Sequence, residues 1–256
     1  MSDQLMQKSK WWSKKDVKLT AFLSIIFTAI VGFVGTGFHT FFMPDPASES
    51  MSEVIRLIRV FTWAAAPVVG IVGAMAVVSL MTKSHYGDNP PPDADNAVRN
   101  SPRAGALWVV ISSILCLFAV ITGLVVLQED SKAILKEKAI QVNVTGQQWV
   151  WNFDYANGAR SNVLYLPVDK PVVFNITSVD VKHSFWIVQM GIKMDANPGY
   201  ITQTAVTPNK IGVFDIRCAE LCGLLHAYMQ NKVHVVSQAE YDQWLKDQAA
   251  FEGASA

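Results

Sequence analysis

Twelve residues near the C-terminus, Cys218-Ala-Glu-Leu-Cys-Gly-Leu-Leu-His-Ala-Tyr-Met229, place two thiols, an imidazole and a thioether at C-x3-C-x3-H-x2-M spacing. Soft sulfur ligands together with imidazole select copper among the common metals. A zinc site is more usually built from thiolates and imidazoles without a thioether. The same residues allow a second reading, a structural disulfide between Cys218 and Cys222 with His226 and Met229 as bystanders. The added His and Met so close in sequence weigh against it.

A copper electron carrier must change oxidation state with little ligand movement, which suits loops at one end of a rigid β scaffold. His183 is the best candidate for a further ligand, because Asp180-Val-Lys-His183 lies at a predicted strand junction. One Cys, two His and a weak Met would make a mononuclear blue-copper site. This chain has a second Cys. Two thiolates four positions apart on one loop can both bridge a pair of metal ions, with His183 and His226 supplying one imidazole each. Met229 offers one weak axial ligand, and a loop carbonyl is left for the other, with Glu220 lying between the cysteines.

The elements that carry these residues divide at about residue 128. The chain has 256 residues, of which 51% are hydrophobic and 16% charged, a balance that fits a mixed membrane and soluble protein. Net charge is zero, with ten basic and eight acidic side chains in 1–127 and eleven and thirteen in 128–256. Neither half has the basic excess that nucleic acid would require. Apolar segments at 17–43, 60–82 and 104–127 each reach the ~20 residues needed to span a bilayer. A cleaved signal peptide competes for the first, but the run is long for such a leader and lacks an obvious cleavage site. Pro44-Asp45-Pro46 ends the first span, and Pro90-Pro91-Pro92 marks the loop at 83–103 as an extended linker. Five lysines in residues 1–18, and Lys83, Arg99 and Arg103 in that loop, oppose only Arg56 and Arg59. Basic loops stay cytoplasmic, so the N-terminus is expected inside and residues 128–256 in the periplasm or an equivalent space.

Beyond residue 128 the pattern alternates with period two, as in 139–144 and 149–155, with further strands expected at 162–166, 171–177, 184–189, 202–206, 211–217 and 232–236. Eight or so short strands suggest a Greek-key sandwich or barrel. Ser237-x-x-Glu240 is a capping box that opens a last helix to about Gln248, with Tyr241, Trp244 and Leu245 as its apolar stripe. Trp149 and Trp151 point the same way if both lie on one strand, so alternation does not separate their roles. His234 reads as a surface residue, His39 and His85 as span-end residues without partners, and Cys116 as a small hydrophobe.

Cys218-Ala-Glu-Leu-Cys-Gly with His226 and Met229, Asp180-Val-x-His183-Ser-Phe, Lys193-Met-Asp195-Ala-x-Pro198-Gly199 and Gly146-x-Gln-Trp149-x-Trp151 resemble subunit II of haem-copper cytochrome c oxidases, over about residues 104–248. The resemblance implies a cupredoxin fold with the dinuclear copper centre CuA, ligated by His183, Cys218, the Glu220 carbonyl, Cys222, His226 and Met229. It further implies a magnesium ion shared with subunit I through the Glu220 carboxylate, and Trp149 as the point of electron uptake. The implied partners are cytochrome c as donor, subunit I as acceptor with its haem, further oxidase subunits and the lipid bilayer. The implied complex is a proton-translocating oxidoreductase whose oxygen chemistry resides in a partner.

Four departures accompany it. The family usually has two spans, and three are read here. Arg103-Ala-Gly-Ala-Leu-Trp108 lacks the carboxylate often found at the start of the last span. Gln147 stands where the motif commonly has histidine. No C-x-x-C-H haem attachment occurs. Alternative readings are the CuA subunit of a nitric oxide reductase, a membrane-tethered copper store or metallochaperone, and an interaction domain closed by a disulfide. Asp180 and its neighbours read either as a steering patch for a basic donor or as ordinary solvated charges, with Lys182 weakening the acidic case.

Overall fold

The computed structural model describes residues 14–81, 102–134 and 139–255. Lys8, Lys10, the triple-proline loop, Lys83, His85 and Arg99 lie outside the described residues. Three helices, α1 (Lys14–Phe42), α2 (Glu49–Met81) and α3 (Pro102–Ile134), match the three expected spans, α1 ending one residue short of the expected 43 and Thr82 lying outside the described residues; each is long and apolar enough to cross a membrane. α1 stops just before Pro44, since the residue ahead of a proline is driven out of helical conformation. α2 starts eleven residues before its apolar run, where Ser48 Oγ accepts the Met51 N–H at 3.1 Å and satisfies an otherwise orphaned donor. The expectation that His39 has no partner is corrected: its Nε2 lies 2.9 Å from Thr62 Oγ1 of α2. Trp63 Nε1 donates to Thr36 Oγ1 at 3.1 Å, and Phe33 meets the Trp63 ring edge-on. Polar contacts of this kind are useful glue where lipid offers no hydrogen bonds.

The chain falls into two compact units, and the segment Pro44–Ile55 belongs with the unit that begins at Cys116. Its Ala47 N–H binds the Gln189 carbonyl at 2.8 Å, Asn209 N–H binds the Ala47 carbonyl at 3.0 Å, and Ser48 Oγ donates to the Met190 carbonyl at 2.7 Å. Ala47 and Ser48 are fully buried there.

Ten strands form the β unit: β1 (Ile140–Gln147), β2 (Val150–Tyr155), β3 (Arg160–Ser161), β4 (Leu164–Pro167), β5 (Val172–Ser178), β6 (His183–Ile187), β7 (Ile192–Ala196), β8 (Thr202–Val206), β9 (Gly212–Cys218) and β10 (Gln230–Val236). They make two five-stranded sheets, ordered β3-β2-β1-β5-β8 and β4-β10-β9-β6-β7. The β1–β5 and β10–β4 pairs are parallel and the rest antiparallel. All eight expected strands are present; β3 and β7 were not anticipated. β3 is two residues long, below any periodic signal. β7 carries Lys193 and Asp195 outward, and its burial pattern lacks the clean alternation of β2.

Strand parity decides what enters the core. In β2, Trp151, Phe153 and Tyr155 point inward; in β6, His183, Phe185 and Ile187; in β9, Phe214, Ile216 and Cys218. His183 and Cys218 therefore sit at the ends of core-facing series and are buried by the same alternation that buries their apolar neighbours. α4 (Gln238–Ser255) closes the sandwich and runs past the expected end at Gln248. Its capping box forms as expected, with Glu240 N–H on Ser237 Oγ and Ser237 N–H on Glu240 Oε2 at 3.0 Å. Trp244 stacks on Tyr165 with ring centres 4.5 Å apart. Tyr165 also stacks on His234, which is half-buried rather than at the open surface.

Candidate metal centre

Three connections converge at one end of the sandwich: the turn between β1 and β2, the loop from β5 to β6, and the loop from β9 to β10. Cys218 is fixed on both sides, since it pairs with Phe185 of β6 and its N–H binds the Met229 carbonyl at 3.0 Å. The following residue is held too, through Ala219 N–H on the Ser184 carbonyl at 2.9 Å. The chain then turns back through Gly223, at φ +117°, and a single 3-10 turn at His226–Tyr228. This path brings Met229, fully buried, beneath the cysteines.

The two sulfurs, Cys218 Sγ and Cys222 Sγ, lie 3.8 Å apart, and both cysteines are free thiols. That spacing is far beyond the ~2.05 Å of a disulfide. His183 Nδ1 is 3.8 Å from Cys218 Sγ, and His226 Nδ1 is 3.5 Å from Cys222 Sγ. Met229 Sδ lies 3.7 Å from Cys222 Sγ, while the Glu220 carbonyl oxygen lies 3.3 Å from Cys218 Sγ. Each thiol thus has its own imidazole and its own weak donor, so all six residues named from the sequence come together. His183, Cys218 and Cys222 alone offer three ligand atoms mutually within 4.8 Å. Burial, reinforced by the Cys218 thiol alongside, pushes the Cys222 thiol up to about 11. A soft cation would therefore have to displace protons on binding.

The surroundings orient the imidazole of His183. Its Nε2 lies 3.0 Å from Asp180 Oδ1, which leaves Nδ1 free on the sulfur side. A carboxylate on the second nitrogen is the usual means of fixing a ligand histidine. Asp180 in turn accepts from Val181 N–H at 2.6 Å, Gln148 N–H at 2.7 Å and Ser178 Oγ at 3.2 Å. Desolvation acts to raise its carboxyl, but these hydrogen bonds outweigh it and hold the group down at about 2. Asp180 is therefore committed to the loop, which answers the choice between steering charge and solvated charge with a third role.

Two residues without an assigned role in the sequence reading are central. Gln148 gives its backbone N–H to Asp180 and its Nε2 to the Cys222 carbonyl at 2.7 Å, tying both ligand loops to the β1–β2 turn. Gly146 is a buried position near the end of β1, and a Cβ there would come 3.0 Å from the Trp151 ring and 3.1 Å from the His183 ring. Both belong to the quoted Gly146-x-Gln-Trp149 motif, so the signal was present without a chemical reason attached.

The assumption that Trp149 shares a strand with Trp151 is corrected. Trp149 lies in the turn between β1 and β2, half-buried, with its indole beside Gly223 of the ligand loop. The turn breaks the period-two relation. Trp151 is a core residue, 1% exposed, edge-on to Phe185 and His183. Cys116, on α3, is exposed.

Apolar helices joined to a two-sheet sandwich whose loops gather thiols, imidazoles and a thioether define a membrane-associated protein with a candidate soft-metal site. Residues 158–236 match the family model described as cytochrome c oxidase subunit II, periplasmic domain. A probable cytochrome c oxidase subunit 2 from Streptomyces avermitilis is 30% identical, over 81% of this chain and 78% of that protein. The corresponding subunit of Vanderwaltozyma polyspora is 28% identical over 90% and 99%. That of Alkalihalophilus pseudofirmus is 35% identical over 56% of this chain, and the match spans 44% of its own length. Among solved structures, the periplasmic domain of cytochrome oxidase subunit II (CoxB) of Bradyrhizobium japonicum is 30% identical, covering 44% of this chain and 96% of that one with a TM-score of 0.43. The chain belongs to the cytochrome c oxidase subunit II family, whose members are components of haem-copper terminal oxidases.

Proposed function

We propose that this chain accepts electrons from cytochrome c and passes them toward the haem of subunit I in a respiratory terminal oxidase. His183, Cys218, the Glu220 carbonyl, Cys222, His226 and Met229 would hold a pair of copper ions, the CuA centre. Copper bound there supplies one-electron redox chemistry with little rearrangement of its ligands. The observation that carries this reading is the paired donor set: two thiols 3.8 Å apart, each with an imidazole Nδ1 of its own. The residues around it exclude water and restrict motion. Met229 and His183 are fully buried, and Gln148 and Asp180 anchor both loops by hydrogen bonds to backbone and side chain.

Trp149 is the electron-uptake residue in this reading. In support, it lies in the turn against Gly223 of the ligand loop, and its chain neighbour Val150 and the residue after Gly223, Leu224, are both exposed. The copper domain, 128–256, is carried outside the membrane by an anchor at 1–127. The pairing of Ala47 with Gln189 supports this, because it requires the α1–α2 loop and the β domain to share one side of the bilayer. With the basic residues counted above, the N-terminus is then cytoplasmic and the sandwich periplasmic. The Glu220 carboxylate, on an exposed residue, would hold the magnesium ion shared with subunit I.

The test is the metal content and paramagnetic resonance of the purified complex. Two coppers per subunit with hyperfine coupling to both nuclei are expected, and Cys218→Ser abolishes the signal. One copper, or coupling to a single nucleus, overturns the dinuclear assignment.

A further inference from the structure

The segment that leads into α2 is gripped by the β domain. Ala47 uses both of its backbone groups there: its N–H goes to the Gln189 carbonyl at 2.8 Å, and its carbonyl takes the Asn209 N–H at 3.0 Å. Ser48 bridges Pro208 in antiparallel sense. The Ser48 hydroxyl spends its one proton on the Met190 carbonyl at 2.7 Å, while its oxygen accepts the Met51 N–H at 3.1 Å. One side chain thus docks the segment and caps the helix. The receiving surface is shaped for it. Gly191 ends the 3-10 turn Val188–Met190 at φ +67°, and a Cβ on it would come 2.9 Å from Met51 Cα. Gln189 is itself clamped to β9, its Oε1 accepting the Asp215 N–H at 2.9 Å and its Nε2 donating to Asp215 Oδ2 at 3.3 Å. β9 is the strand that ends in Cys218.

A domain joined to its anchor by one connection is expected to move relative to it. Here the chain runs from α3 toward β1, and Ala47–Met51 adds a second connection through backbone atoms and a buried hydroxyl. We propose that Ala47–Met51 is a docking strap with Gln189–Gly191 and Pro208–Asn209 as its receptor, and that Ser48 is a positioning residue: by holding the strap it restrains the β domain for the onward transfer of electrons from copper. Transfer between redox centres falls steeply with distance, so a domain that swings passes electrons more slowly than one held in place. This last step rests on the reading of the chain as an electron-entry subunit; the docking does not.

The intact complex is compared in four forms: wild type, Ser48→Ala, Ser48→Asp and Ser52→Ala. Aspartate is a good helix cap, but it sets a carboxylate against the Met190 carbonyl, acceptor against acceptor, and so separates docking from capping. Ser52 Oγ donates within the same turn, to the Ser48 carbonyl at 3.1 Å, and serves as the control. Backbone hydrogen exchange is read by mass spectrometry at Ala47, Met51 and Asn209. All three amides are protected in wild type and Ser52→Ala. In Ser48→Asp, exchange at Ala47 and Asn209 rises at least about tenfold, the effect of losing one buried hydrogen bond, while Met51 stays protected. Ser48→Ala speeds all three. Copper-to-haem transfer after flash reduction of the copper slows at least about tenfold in Ser48→Asp, since a misplacement of ~1 Å can cost ~100-fold in rate, and uptake from cytochrome c is unchanged. An unprotected Asn209 amide in the wild type overturns the proposal. So does a Ser48→Asp complex that keeps Asn209 protected, or one that releases it with onward transfer unchanged or with uptake slowed equally. The copper signal of the wild type is read in the same samples: its absence refutes the electron-entry reading, and the exchange result still decides the docking.

Discussion

Asp180→Asn isolates how the imidazole of His183 is held. Asparagine keeps the shape but has one acceptor oxygen where the carboxylate has two. Oδ1 serves Val181 N–H, Ser178 Oγ and His183 Nε2, while Oδ2 serves Gln148 N–H. If the amide oxygen keeps the Oδ1 side, its NH2 faces the Gln148 N–H, donor against donor. Losing one hydrogen bond to a charged group costs about 1.5–3 kcal/mol. Weakening the partner of a ligand histidine lowers metal affinity about 10–100-fold, or about 1.4–2.8 kcal/mol, so the two estimates agree. The assay is copper retention by the purified complex against increasing chelator, read from the copper signal, with Asp215→Asn as a carboxylate control. A 10–100-fold weaker retention is expected for Asp180→Asn and none for the control. Unchanged retention would refute the argument, because packing by Trp151 and Gly146 would then suffice to orient the ring. The sign with pH follows from the lowered carboxyl. Its contribution is fully present above the ordinary aspartate range and is lost only as pH falls toward about 2, so retention shows no Asp180 titration near neutrality.

Gly146→Ala forces a methyl to within 3.0 Å of Trp151 and 3.1 Å of His183; an overpacking cost of about 1–3 kcal/mol and an altered copper spectrum are expected, and a native spectrum with native thermal stability would contradict the crowding. Trp149→Ala is expected to slow electron uptake from reduced cytochrome c in stopped-flow mixing while leaving the copper spectrum intact, because Trp149 contributes no ligand; a lost spectrum would make it a structural residue. Lys232 hydrogen-bonds Asp215 and lowers its carboxyl. The stabilisation is present above the ordinary carboxylate range and disappears as pH falls through the lowered value. Melting of the complex followed across acid pH should show Asp215→Asn destabilised at neutrality and converging with wild type once the native aspartate is protonated.

The donor residues were legible because sulfur and imidazole have few other reasons to recur at short spacing, and the strands because alternation marks each half-buried segment. His183 was reachable from its strand junction. What alternation could not show was the turn at Gln148–Trp149, where one break in period removes Trp149 from the face that Trp151 occupies. Nor could it show β7, which carries the Asp195 carboxylate that meets Lys182. The burial of Ala47 and Ser48 was hidden for a different reason. They lie more than 130 residues from Gln189 and Met190 in sequence, and a short polar loop between two spans gives no periodic sign of where it docks.

That turn between β1 and β2 ties the two ligand loops to each other. Gln148 bonds the Asp180 loop through its backbone and the Cys222 loop through its side chain. Gly146, two residues earlier, leaves the space that His183 fills, and Trp149, one residue later, covers Gly223 where the second loop reverses. Three side-chain choices within four residues thus set one imidazole, one cysteine carbonyl and one loop reversal. Tying the loops together in this way would let a bound copper pair change its charge with little movement of its frame, as the proposed electron transfer requires. It also predicts where tolerance ends: substitutions in the turn disturb both loops together, whereas the exposed Leu221 and Leu224 of the ligand loop, 80% and 89% accessible, are free to follow whatever surface docks against them.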